Sequence, residues 1–315
     1  MNFALARAVL VRCLAMLSTL AGATALSLLL LVLAPGDPID LIPGGEALRP
    51  QLEAQWGLDR APAQRYWHYA RRVAVLDLGS SVSYRPGQPV FGLLAGPATR
   101  TAARVLAALA CAVVWGTALA WWTAGRRSFL RTAALAVSIA PVFLLAHGFV
   151  MAANEGAFAA MQSGWLERPS WFALPDEPSP LRTTLSIVLL AVGSSALHET
   201  HAQAEEALLR IRSSVYVDAA RARGAPVWPH IARNLIAPLA ATTAERAAFL
   251  TGGVVIVEKV LLLNGAGAML WEAARLRDYD LALGIALLAA LLVGTVRLAA
   301  DATRALADPR LRGRA

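Results

Sequence analysis

Long apolar runs decide what this chain can become. Six stretches, roughly Val9–Leu33, Thr101–Thr123, Phe129–Ala153, Leu181–Leu197, Leu239–Val257 and Leu281–Ala299, approach or exceed the length of a bilayer-crossing helix, which needs about 20 mostly apolar residues. With 57% hydrophobic and 16% charged residues and a mean hydropathy of +0.53, the 315-residue chain falls outside the range of soluble globular domains. An all-α polytopic membrane protein with about six spans is the expected fold. Arg7 and Arg12 ahead of the first run, with Ala23-Thr24-Ala25 inside it, also fit a cleaved leader. The run continues to Leu33, about twice the usual signal core, and a retained N-terminal span over residues 1–33 follows.

Charge orients these spans. The surplus of +8 is almost wholly arginine, Lys259 being the only lysine, and positive charge collects in cytoplasmic connections. Arg126 and Arg127 lie between spans 2 and 3. Arg210, Arg212, Arg221, Arg223 and Arg233 lie between spans 4 and 5, and Arg304, Arg310, Arg312 and Arg314 in the tail. Both termini are therefore expected in the cytoplasm of a multi-pass inner or plasma membrane protein. The connection from Asn154 to Pro180 carries Glu155, Glu167, Asp176 and Glu177 against Arg168 alone, as an outer loop would. A nucleic-acid partner is not needed to explain the arginines.

Between the first two spans, residues 34–98 form an extracytoplasmic segment in which Pro/Gly turns alternate with short helical patterns. The clearest helix is Ala63–Ala74, where Tyr66, Trp67 and Tyr69 suit a membrane interface. "DLGSSVSYRPGQPVFGLL" reads as an extended stretch leading into span 2. The segment is either a cap on the spans or a docking surface for a delivery protein. The permease-like core is expected over 99–315.

Catalytic motifs are missing. A P-loop ends in Lys-Ser or Lys-Thr, and here the one lysine precedes Val260, so neither an enzyme nor an ATP- or magnesium-binding chain is expected. "HETH", His198–His201, spaces its histidines by three where a zinc-protease helix needs four. It reads as a charged helix end at the cytoplasmic surface, and no metal site is expected. "GAGAML" at Gly265–Leu270 lacks the third glycine of a dinucleotide fingerprint and reads as a turn after span 5.

The connection at about 204–238 is the part least like a membrane span. Ala204, Leu208, Ile211, Val215, Ala219 and Ala222 keep three-and-four spacing, which predicts one amphipathic helix. Gly224, Pro226 and Pro229 stop it, and a second helix starting near His230 feeds span 5. Between the breaks a compact surface knob forms.

Asp218-Ala219-Ala220-Arg221-Ala222-Arg223-Gly224, followed by "ARNLIAPL", resembles the cytoplasmic EAA loop of ATP-binding-cassette importer permeases of the dipeptide/oligopeptide/nickel family. "PGDPIDLIPGGEA", "WGLDRAPAQRYWHYARRV" and "DLGSSV" resemble the start of that family's first-subunit permeases. "GGVVIVEKVLLLNGAGAMLWEAARLRDYDLALG" and "DPRLR" resemble its C-terminal third. Asn264 stands where the family usually has proline and Leu261 where an aromatic is usual, and the stretch from Gly224 to Ala232-Arg233-Asn234 looks shorter than the family's.

The resemblance implies a type I importer permease fold. It also implies a transmembrane subunit paired with a second homologous permease, two ATP-binding subunits that hold ATP and magnesium, and an extracytoplasmic solute-binding protein. It assigns Asp218, Ala219, Ala220, Arg223 and Gly224 to coupling with the ATP-hydrolysing subunit, and peptides or similar small solutes as cargo. Glu245 and Arg246 fall inside span 5, where an isolated charge costs at least about 2–3 kcal/mol. Being adjacent, they point about 100° apart, so each either lines a translocation path or pairs elsewhere. Glu258, near the other end of that span, matches the family's acid and suits pairing with an arginine. Two other classes remain open on the residues: an ion-coupled secondary transporter with Glu245 as proton site, disfavoured because no inverted repeat is evident, and a non-transporting membrane scaffold.

Overall fold

The computed structural model describes residues 10–11, 13–19, 21–22, 25–26, 29, 38–41, 49–51, 53–54, 59–75, 77–125, 129–165 and 180–307. Much of the first apolar run, Arg126 and Arg127, most of the acidic 3–4 loop and the arginine-rich tail lie outside them. The described residues are helical, with one isolated bridge between Ser80 and Pro89. After a short 3-10 turn at Pro38–Leu41, the helices are α1 (Pro62–Ala74), α2 (Val90–Thr123), α3 (Phe129–Ile139), α4 (Val142–Gln162), α5 (Pro180–Gly193), α6 (Ala196–Arg212), α7 (Val215–Ala222), α8 (Trp228–Val260), α9 (Ala266–Arg275) and α10 (Tyr279–Ala307). Among the described residues α2, α4, α8 and α10 are each long and apolar enough to cross a membrane. The pair α5–α6, bent by 53° at its break, makes a fifth candidate.

Two expected spans are interrupted. Phe129–Ala153 divides at Ala140-Pro141 into α3 and α4, because proline cannot donate the hydrogen bond that would join the two helices. Leu181–Leu197 divides at Ser194-Ser195, where Ser195 adopts a left-handed φ of 59° and the chain turns into α6. Conversely, the stretch expected to be extended ahead of span 2 is helical from Val90, with Pro97 inside the helix. Packing overrides the local signal there: Val90 and Leu94 are buried in a cluster with Ala266, Met269, Ala273, Leu281 and Ile285.

The chain forms two compact units, one of residues 14–101 and 264–294, the other of the remaining residues. In the second unit α8 packs along α4, α5 and α6. The approach of α2 to α6 is close at Gly116, where a built Cβ would sit 2.9 Å from Thr200 Cβ and 3.0 Å from His201 N. His201 is 1% exposed and lies 3.0 Å, Nε2 to Oγ1, from Thr123. Within "HETH", at the start of α6, Thr200 and His201 are buried against α2 instead of lying at a surface, while His198 and Glu199 are half-buried. Small residues on α2 let this face of α6 come in against it.

Candidate functional site

The knob expected near Asp218 is a separate eight-residue helix, α7, and not the end of a longer one. α6 ends at Arg212, and Ser213-Ser214 let the chain turn before α7 begins. The break shifts the helical phase. Val217 and Ala220 are fully buried, while Val215 (84% exposed), Ala219 and Ala222 face outward, contrary to the single amphipathic stripe that the spacing predicts. Val217 enters a cluster built by Ala204, Leu208 and Ile211 of α6, Ile231 and Leu235 of α8, and Ala120 of α2. Burying that one side chain contributes about 2 kcal/mol.

Gly224 closes α7. Its φ of +68° lies in the left-handed region that glycine enters without a Cβ penalty. The Gly224 N–H donates to Arg221 O and the Ala225 N–H to Ala220 O, both at 2.9 Å, the two bonds of a Schellman cap. The turn delivers the chain to Trp228, where α8 starts, earlier than the His230 expected from sequence, with Pro229 in its first turn.

Charges of the knob stay outside. The Asp218 carboxylate accepts from Arg221 at 3.1 Å with both side chains more than half exposed, a geometry worth little in water. Arg223 donates through Nε to Ala219 O. Around them Val215, Tyr216 and Trp228 expose apolar surface. Trp228 packs edge-on to Trp121 at 5.8 Å, over which the Arg212 guanidinium lies at 4.9 Å. Asp218, Ala219, Ala220, Arg223 and Gly224 thus gather on one short element whose apolar face is held by the chain and whose polar face is left open.

Glu245, Arg246 and Glu258 of α8 are not brought together. Glu245 and Glu258 are roughly 20 Å apart along the helix. Glu245 is exposed. Arg246 is turned away from it, with Nη2 4.0 Å from the Glu199 carboxylate, its guanidinium 4.8 Å from the Phe249 ring and its Nε buried without a hydrogen-bond partner. Glu258 is fully buried, and its carboxylate accepts from Arg104 of α2 at 2.6 Å. That Glu258 pairs with an arginine is legible in sequence, but Arg104 itself lies 154 residues away.

One further carboxylate escaped the sequence reading. Asp278, 0% exposed, accepts through one oxygen from the Ser81 hydroxyl (2.5 Å) and from the backbone N–H groups of Val82, Ser83 and Tyr84 (3.0, 3.1 and 3.0 Å). Its other oxygen accepts from Leu281 N–H at 3.2 Å and so caps α10. Successive N–H groups converging on one anion form a nest, here filled by the chain's own side chain. Its two signals, the polar turn "DLGSSV" and an aspartate just ahead of the apolar run of α10, lie far apart in the chain. Nearby, Arg72 bridges Asp77 (3.2 Å) and Asp280 (3.1 Å). Burial works against the Arg72 charge, but the two carboxylates outweigh it and hold the guanidinium more firmly protonated. The Gly79 N–H, then Arg72, hold Asp77 below the usual carboxylate range.

No group of three or more metal-ligating side chains occurs among the described residues. Between α2, α8 and α10 runs an apolar groove of about 580 Å³, lined by Leu109, Val113, Leu239, Thr243, Val296 and Ala300 among others.

Known proteins resemble this chain over most of its length. The family described as "Binding-protein-dependent transport system inner membrane component" matches residues 112–313. A putative peptide permease protein of Brucella ovis is 30% identical, over 94% of this chain and 96% of its own length. The di/tripeptide transport system permease protein DppB of Pseudomonas aeruginosa is 29% identical over the same shares. The glutathione transport system permease protein GsiC of Escherichia coli is 27% identical over 96% of this chain and 98% of its own.

Proposed function

We propose a coupling mechanism and a cargo class for this chain, which belongs to the family of binding-protein-dependent transport system inner membrane components. It is an all-α, multi-pass membrane protein and the permease component of an ATP-binding-cassette importer. A binding protein and ATP-hydrolysing subunits are its partners, and the permease itself is not an enzyme. In our reading the assembly holds one second, homologous permease and two ATP-binding subunits that carry ATP and magnesium. Both termini and α7 face the cytoplasm, as the arginine distribution supports. The cargo is a peptide or a similar small solute, the class that the names of the relatives suggest.

The observation that carries the coupling role is α7 itself. Val217 locks it to α6 and α8 and Ala220 is also buried, while Asp218, Arg221, Arg223, Tyr216 and Trp228 are left for another surface. Closure of the ATP-binding subunits displaces α7, and because α7 is wedged against the start of α8, the spans follow and expose the path to the opposite side. Gly224→Pro tests this. Proline cannot adopt φ near +68° and lacks the capping N–H, so α7 loses its stop without any change in the apolar spans. In vesicles holding the full importer we expect normal insertion and continuing ATP hydrolysis, with peptide uptake lost. Normal uptake by that variant, or failure of the wild-type chain to co-purify with ATP-hydrolysing subunits, overturns the reading.

A further inference from the structure

We propose that α1 is an interfacial helix that binds anionic phospholipid, with Trp67 and Arg71 in the headgroup layer. The proposal rests on α10 being a membrane span, and on three observations that concern α1 and residues of the same compact unit.

The helix is two-faced. Tyr66, Tyr69, Arg72 and Val73 are half-buried, while Trp67, Arg71 and Val75 fall on one outward stripe at intervals of four. A single exposed tryptophan is ordinary. Here, however, Trp67 is 57% and Val75 75% exposed, and the Arg71 guanidinium lies over the Trp67 ring at 5.2 Å. An indole capped by a guanidinium, beside an aliphatic side chain, is the composition of a helix lying in the plane of a membrane surface.

The second observation fixes the depth. Arg72, on the inward face, holds Asp280 at 3.1 Å. Asp280 is in the first turn of α10, the most apolar of the candidate spans. α1 is therefore tied to the chain at the level where a span begins, and that level is the headgroup layer, where Trp and Arg are stable. Thirdly, Phe91, in the first turn of α2, another span, is 72% exposed, an apolar ring at the same kind of boundary. Arg71 is exposed on the Trp67 stripe and α1 itself carries no carboxylate, so this stripe selects anionic headgroups over zwitterionic ones.

The test uses the whole chain with its partner subunits, reconstituted in phosphatidylcholine vesicles with and without phosphatidylglycerol. The chain has nine tryptophans, so the emission of Trp67 is isolated as the difference between wild type and W67F. We expect that difference signal to be quenched by lipids brominated high on the acyl chain and shielded from aqueous iodide. R71Q should lower retention of phosphatidylglycerol on the purified complex several-fold. R72Q, which frees α1 from Asp280, should weaken the brominated-lipid quenching while leaving the helical content of the protein unchanged. Trp67 emission that is open to iodide and insensitive to brominated lipid overturns the proposal. So does shielding that appears only when the binding protein is added, since that identifies α1 as a protein-docking face. Neither result bears on the coupling role of α7, whose readout is uptake per ATP.

Discussion

Asp278 and Asp218 are carboxylates set in opposite surroundings. Asp278 is sealed, and five donors of its own chain converge on it: a hydroxyl, three consecutive loop N–H groups and the N–H of Leu281. Asp218 stands in the open with one arginine of its own helix. Both sit at short connections between longer helices, yet the first is held by polar bonds and the second, α7, by apolar side chains beneath it. Where the chain supplies every donor, the carboxylate fastens a loop. Where it supplies almost none, the carboxylate is left for whatever meets the knob from outside.

Replacing Asp278 by Ala should do the most damage. It leaves buried N–H groups without acceptors, at a cost on the order of 3 kcal/mol or more, read as a lower unfolding midpoint in detergent and faster proteolysis around residues 77–90. A loss no larger than that of Asp218→Ala would break the contrast. Glu258→Leu should come close behind, because Arg104 loses its buried carboxylate, a change of about 3–5 kcal/mol. Adding Arg104→Leu should recover much of that loss, which a double-mutant comparison of unfolding midpoints checks.

Gly224→Ala tests the knob's fastening at a smaller scale. A built Cβ meets nothing within 4 Å there, so the cost is only the left-handed backbone, about 1–2 kcal/mol, and uptake should persist. Smallest in stability is Asp218→Asn, expected within about 0.5 kcal/mol of wild type. Its effect should appear instead as a several-fold fall in uptake per ATP hydrolysed. A change in stability with unaltered uptake would reverse the assignment of roles.

The parts of this architecture legible in sequence are those governed by local pattern. α2, α8 and α10 follow from apolar runs, α1 from its aromatic-rich amphipathic stretch, and the closure of α7 from Gly224. What the pattern missed came from elsewhere in the chain. Apolar spacing of three and four runs through Ser213-Ser214 uninterrupted, so one helix is the natural reading, and only packing against Leu208 and Ile231 reveals the shifted phase. His201 reads as part of a surface helix end because Gly116, whose lack of a side chain admits α6, lies more than 80 positions upstream of it. Asp278 and Arg104 each meet partners more than 150 residues away, and no window of sequence contains both ends of such a bond.

The uninterrupted length of α8 has a mechanical consequence. Its 33 residues make a rod roughly 50 Å long, beginning at the knob and ending beside Glu258, with Pro238 about a third of the way along. Proline removes one rung of the hydrogen-bond ladder and marks where a long helix bends most readily. It divides the rod into an arm of roughly 15 Å that starts at the knob and an arm of roughly 33 Å that ends beside Glu258, so the shorter arm can tilt with the knob by more than the longer one.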